Sequence, residues 1–240
     1  MTQEEKKVVS QLGSERFYPL EDGTWLPSVT TILSACYPKS RFLIDWQIEQ
    51  GKEEAERILK EAAEEGQIIH SYIEHLLNGA ILNVEPMSEK QRRCVSNFLA
   101  WANKTEFTPL ATESQVYCKP LGYAGTIDIL AKIDGEVWIV DIKTSNAIHA
   151  SYDAQVAAYA YAYALEHKTS VKAAILHINA RTKQGYTWHE VDLEQGFKVF
   201  NLTRQLFYAL HPDPQPKIIE YPLTFEYGQS KKGAVLPQQN

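Results

Sequence analysis

The chain has 240 residues, 44% of them hydrophobic and 22% charged, which suits one large soluble domain or a core with a smaller accessory segment. Its net charge of −6 excludes a global basic surface, so any polyanion groove must be local, built from a subset of the 24 Lys and Arg. No apolar run approaches the about 18 residues that span a bilayer, and Met1 to Lys7 carries neither a signal-peptide hydrophobic stretch nor an acid-poor transit sequence, so a cytoplasmic protein is expected. Cys36, Cys94 and Cys118 are odd in number and far apart, which argues against a disulfide framework, a zinc site or an iron–sulfur cluster.

Residues 15–26 read as a small hairpin around Glu21-Asp22-Gly23. Pro27-Ser28-Val29-Thr30-Thr31-Ile32-Leu33 then opens a short helix capped by Ser28 or Thr30. Residues 41–62 are strongly helical; Gly66 is expected to interrupt, and a second helical stretch runs to the stop at Asn78-Gly79. Another helix spans Ser88 to Asn103. A strand over about 108–118 precedes a hairpin, and the alanine-rich stretch Ser151 to Glu166 favours helix. Strands at about 171–180 and 186–191, a helix at about 194–210 and a loose final fifteen residues complete the chain. This order predicts an α/β sandwich with a mixed sheet and an N-terminal helical part. No phosphate loop is present, so ATP is not expected; a nucleophile elbow and a dinucleotide fingerprint are also missing.

The hairpin carries the strongest chemical signal. Thr126–Ile133 and Glu136–Lys143 flank Asp134-Gly135, a two-residue turn. Pairing Ile133 with Glu136 places Asp128 opposite Asp141 at a non-hydrogen-bonded position, where Cβ atoms are roughly 4.5–5.5 Å apart. Two carboxylates at that distance repel unless a proton or cation lies between them. Alternation puts Lys143 on the same face, and Ile127, Ile129, Ala131, Trp138, Val140 and Ile142 on the opposite, buried face. Oxygen ligands in this arrangement suit Mg²⁺ or Mn²⁺. The lysine can stabilise a phosphate or lower the pKa of an attacking water. A solvated hairpin face with a surface ion pair is the plain alternative.

Other residues can join the site. His70 and Glu74 share a helix face at i, i+4, and Gly66 leaves room one turn before His70. A histidine at the edge of the apolar face of Ile69, Ile73, Leu76 and Leu77 can be a ligand or a structural residue, and the helix alone leaves both open. Glu113 shares a strand face with Gln115 and Tyr117 and could supply a third acid or simply be solvated. Gln155 and Tyr159, again i, i+4, lie on the helix that follows Lys143.

Together these residues resemble the PD-(D/E)XK nuclease superfamily, in its RecB-like branch. The pattern is His70 on a helix, Gly125-Thr126-Ile127-Asp128 on a strand, Asp141-Ile142-Lys143 on the next, and Gln155-Val156-Ala157-Ala158-Tyr159 on the following helix. The stretch Pro27 to Leu33 is similar to one that opens the mitochondrial genome maintenance exonuclease family and related phage nucleases. Ile127 stands where the superfamily's name has proline, and Asp141 replaces the commoner glutamate.

The resemblance implies a restriction-endonuclease-like α/β core, a mixed sheet flanked by helices, over 105–225. Residues 1–104 would form the N-terminal hairpin and helical part carrying His70, and 226–240 a flexible tail, all in one compact unit. His70, Asp128, Asp141 and the carbonyl of Ile142 would bind the metal, and Lys143 would position or activate water. Glu74, Glu113, Gln155, Tyr159, Thr144, Ser28 and Thr30 would support the site or touch substrate. The implied activity is a Mg²⁺- or Mn²⁺-dependent DNA exonuclease, bacterial or phage-encoded, acting on single-stranded ends without ATP. A structure-specific or restriction-type endonuclease, or a binding subunit that has lost cleavage, are the rivals. Phe17, Tyr18 and Trp25 could stack on bases or pack in the core.

Overall fold

The computed structural model describes residues 7–179 and 182–222. Its elements are β1 (Lys7–Leu12), β2 (Phe17–Pro19), β3 (Trp25–Pro27), α1 (Val29–Cys36), α2 (Arg41–Gln50), α3 (Lys52–Leu77), α4 (Glu89–Ala102), β4 (Phe107–Cys118), β5 (Tyr123–Ile133), β6 (Glu136–Lys143), α5 (Ala150–His167), β7 (Lys172–His177), β8 (Thr187–Glu190), α6 (Leu193–Leu210) and β9 (Lys217–Pro222). The expected loose tail lies outside the described residues.

A five-stranded mixed sheet, ordered β4-β5-β6-β7-β8, forms the centre. Asp134 (φ 50°) and Gly135 (φ 84°) both take positive φ, as a type I′ turn demands, and the turn fixes the pair Ile133↔Glu136. β6 and β7 are parallel, so the chain must cross over between them, and α5 is that crossover.

Both faces of the sheet are buried. On one side Leu130, Ile139, Ala173 and Ile175 meet Ala154, Ala157 and Ala158 of α5, Phe200 and Phe207 of α6, and Ile32 of α1. On the other, Ile129, Ala131, Trp138, Val140 and Ile142 meet Ile69 and Ile73 of α3 and Cys94, Phe98 and Trp101 of α4. Each fully buried isoleucine contributes about 1.5–3 kcal/mol. The face that ends in Asp128, Asp141 and Lys143 is apolar along most of its length, because α5 covers it, so the alternative of a solvated hairpin face does not hold. Ile127, assigned to the α3 side by alternation, packs in the α5-side cluster.

The helix break falls at Gly51 (φ 79°), between α2 and α3, and not at Gly66. A mid-helix glycine costs about 1 kcal/mol relative to alanine, too little to stop a 26-residue helix flanked there by Ala62, Ala63, Glu64 and Glu65 and docked through Ile69 and Ile73. Ser88 caps α4 with a full capping box to Gln91.

The N-terminal hairpin of β2 and β3 runs directly into α1. Ser28 is the cap: its Oγ accepts the Thr31 N–H at 2.8 Å. The backbone of Arg16 joins this cap, its N–H donating to Thr31 Oγ1 at 2.8 Å and its carbonyl accepting the Ser28 N–H at 2.8 Å. A bridge from Ser28 to Ala124 ties the unit to β5. β1 and β9 form a separate antiparallel pair, Lys7 opposite Pro222, which local patterning does not foretell.

Candidate active site

The sheet sets the first layer of the site. Thr112 pairs with Ile129 and Ser114 with Ile127, so Glu113 stands level with Asp128. The β5–β6 ladder ends at Ile129↔Val140, so the next step sets Asp128 level with Asp141. Three acids therefore line up across three strands where pairing gives out. Glu113 takes φ 47°, a conformation that costs a side chain with a Cβ and tends to persist at functional positions. Asp128 Oδ2 accepts the Ile142 N–H at 2.7 Å, so a side chain replaces the cross-strand backbone partner.

Helix α3 adds the histidine. A Cβ on Gly66 would lie 3.1 Å from Thr144 Oγ1, so α3 passes close to the residue after Lys143. One turn later His70 Nδ1 sits 3.6 Å from Asp128 Oδ2. One ligand atom from each of His70, Glu113 and Asp128 lies within 4.8 Å of the others. Glu74 lines the same wall.

Asp141 and Lys143 form a second group. Their ion pair is 2.6 Å long, and the Asp141 side chain is only 2% exposed. The Asp141 Oδ2 makes no directed hydrogen bond beyond that contact. Gln155 arranges both partners: its Oε1 accepts from Lys143 Nζ at 3.3 Å, its Nε2 donates to Asp141 Oδ1 at 3.4 Å and to the Tyr159 hydroxyl at 3.0 Å. The Tyr159 ring lies against the β5 backbone at Gly125, where a Cβ would come within 2.3 Å of it. Lys143 Nζ also sits 4.7 Å from the centre of the Tyr152 ring. Behind them, Asn179 Nδ2 donates to the Thr144 carbonyl at 3.1 Å, and His177 Nε2 lies 2.7 Å from the Ser145 carbonyl.

Charge follows from burial and these neighbours. Burial pushes the Asp141 carboxyl up to about 6; Lys143 pulls it down and Asp128 pushes it further up. Burial also raises Asp128, but His70, Lys143 and the Ile142 N–H outweigh it and hold that carboxyl below the usual range. Burial lowers His70, but Asp128 more than compensates, so the imidazole is raised. Lys143 is likewise raised, burial being overcome by Asp141 and Asp128. Glu113 is raised by burial and by Asp128. Such paired acids, one raised and one lowered, cluster at functional sites.

These groups open into a cleft of about 790 Å³. One wall is α3, from Ala62 to Glu74; the other is the N-terminal unit, through Arg16, Tyr18, Ser28 and Thr30; Ile142, Lys143 and Thr144 lie in it, with Tyr152, Gln155 and Tyr159 from α5. Phe17 and Tyr18 are each only 4% exposed and Trp25 does not line the cleft. Core packing, not base stacking, is thus the use of Phe17, while Tyr18 is packed but also lines the cleft. Among the lining residues that carried no expectation are Arg16, Lys90 and Tyr152. Tyr152 could have been found, since it precedes Gln155 by three positions on one helix face. Arg16 and Lys90 reach the cleft only through tertiary contacts.

The chain belongs to the PD-(D/E)XK nuclease superfamily, whose sequence profile matches residues 41–218. The five-stranded mixed sheet flanked by helices is the restriction-endonuclease-like core of that class. Among solved structures, a Eubacterium rectale protein provisionally named an exonuclease is similar, with 12% identity and a TM-score of 0.45 over 64% of this chain and 70% of that one. No curated protein matches significantly. Members of the superfamily use divalent metals, and the residues here fit one. The donors that His70, Glu113 and Asp128 bring within reach of one another are hard oxygens plus one imidazole. Among the described residues no helix is long and apolar enough to cross a membrane.

Proposed function

We propose that the protein is a metal-dependent DNA exonuclease of the RecB-like branch, similar to the mitochondrial genome maintenance and related phage nucleases, that starts at single-stranded ends. One observation carries this reading. His70, Glu113 and Asp128 converge beside the buried Asp141–Lys143 pair on a superfamily sheet, in a cleft of about 790 Å³.

His70, Asp128, Asp141 and the Ile142 carbonyl would hold Mg²⁺ or Mn²⁺, with Glu113 close enough to join them. When bound, the ion supplies positive charge against the scissile phosphate and makes water more acidic. Lys143 keeps its proton at Nζ and presents fixed charge to the phosphate or to the attacking water. Gln155 holds Lys143 and Asp141 in one orientation, and Tyr159 holds Gln155. The Tyr152 ring covers one side of Lys143 and limits access of bulk water to it. Thr30 and Thr144 offer hydroxyl groups to the substrate backbone, Ser28 supports that wall as the buried α1 cap, and Glu74 adds charge to the ligand wall. The N-terminal unit facing α3 across the cleft favours one strand over a duplex.

The test is digestion of end-labelled linear and circular DNA, single- and double-stranded, with Mg²⁺. Linear single strands should be shortened from an end, blunt duplex degraded more slowly and circular single strands spared. Rapid cleavage of circles would install the endonuclease reading, and binding without cleavage of any substrate would leave a binding subunit.

A further inference from the structure

The cleft has more acids than it has free cations. Glu74, Glu113, Asp128 and Asp141 all reach it or its floor, yet a nucleic-acid strand brings one negative charge per nucleotide. Lys143 is committed to Asp141. Arg16 and Lys90 also line the cleft, and Arg16 lies near enough to Glu113 to pull its carboxyl down against the effect of burial. Arg16 is the better prepared of the two.

Its backbone is clamped in both directions by the α1 cap: the N–H donates to Thr31 Oγ1 and the carbonyl accepts from Ser28 N–H and from Thr31 Oγ1. Its guanidinium lies 5.1 Å from the centre of the Tyr18 ring and donates to Thr126 Oγ1 at 3.5 Å. The Tyr18 hydroxyl is 2.8 Å from that same Thr126 oxygen. Thr126 is two residues before Asp128 on β5. An exposed arginine is thus held at both its backbone and its head, beside a catalytic strand, with most of its donors unused. A planar, weakly hydrated fork held in this way suits phosphate oxygens.

We infer that Arg16 binds a backbone phosphate of the substrate strand next to the scissile one, and that the Ser28–Thr31 cap serves to hold it there. The N-terminal unit then sets where the strand lies relative to Lys143, using a residue outside the segment that matches the superfamily. This assignment rests on the nuclease reading above.

The experiment measures binding of a linear single-stranded oligonucleotide, with Ca²⁺ replacing Mg²⁺, across a salt series, followed by steady-state cleavage with Mg²⁺. One single-strand phosphate contact contributes about 0.7 to the slope of log Kd against log salt. Arg16→Gln should flatten the slope by about that amount, weaken binding about tenfold at low salt, and act on KM more than on kcat. Arg16→Lys should keep most of the slope but lose part of the affinity, and Thr126→Val, which removes the anchor and leaves the charge, should do the same. An unchanged slope and Kd in Arg16→Gln would overturn the Arg16 assignment alone. A loss in kcat with unaltered binding would also overturn it. If the unaltered protein binds no DNA under any condition, the nuclease reading falls and this assignment falls with it.

Discussion

Strand β6 begins and ends with a lysine–carboxylate pair, and the two differ in every respect that matters. At its start Glu136 meets Lys172, both side chains about half exposed. At its end Asp141 meets Lys143, 2% and 15% exposed. The first pair is solvated, costs little to form and contributes little, as exposed ion pairs usually do. The second has lost water on both partners, and at Asp141 the attraction of Lys143 does not offset that loss and the repulsion of Asp128, as the carboxyl raised to about 6 records. Packing alone would favour an apolar pair at that position. Keeping charge there has a chemical use: a carboxylate poised to take a cation and a lysine that stays protonated.

The comparison can be broken most severely at its buried end. Asp128→Asn and Asp141→Asn should each abolish Mg²⁺-dependent cleavage while preserving the circular dichroism spectrum; a native rate in either variant would remove the acids from the site. Lys143→Ala should keep metal and DNA binding and lose about 10²–10³ in rate, the scale of one preorganised electrostatic group, read by single-turnover cleavage.

A smaller effect is proton-linked. Asp141 loses its proton near pH 6, and His70, whose imidazole is raised, must also be neutral to ligate. Affinity for Mn²⁺ should therefore rise from about pH 5 and keep rising above the ordinary histidine range until His70 is neutral, up to about tenfold per pH unit for each proton released, with proton release seen by calorimetry in two buffers. The sign for stability is opposite: a carboxyl whose folded pKa is raised favours the fold while protonated. In the metal-free protein its contribution is lost as pH climbs from about 4 to 6, and added metal should restore the melting temperature above pH 6. A flat affinity profile would sink the coupling. The smallest effect belongs to the exposed end: Lys172→Ala should leave the melting temperature and cleavage rate unchanged within error.

The β6 comparison also shows what a sequence exposes. The turn Asp134-Gly135 fixes the register of the hairpin, and period-two alternation then puts Asp128, Asp141 and Lys143 together; both rules are local. Ser28 and the Ser88 box are read from the same kind of short-range chemistry. The helix break was misplaced because Gly66 and Gly51 look alike in sequence; only one of them has to adopt positive φ, while the other accommodates Thr144. How deeply the acidic face of the hairpin is buried depends on a helix that follows it in sequence and returns over it, which local patterning does not reveal. Glu113's backbone and Arg16's position both depend on tertiary partners, on His70 and Asp128 for one, and on Thr31, Tyr18 and Thr126 for the other.

The pairing of β1 with β9 has a consequence for how the chain is made. Lys7 finds its partner at Pro222, so this ladder cannot zip until the ribosome has released residue 222. The sheet, with its mainly nearby strand partners, can assemble earlier, during synthesis, and a contact between distant positions closes late. A late event of folding is then a seam joining the two ends of the described chain, closed apart from the ladder of the central sheet.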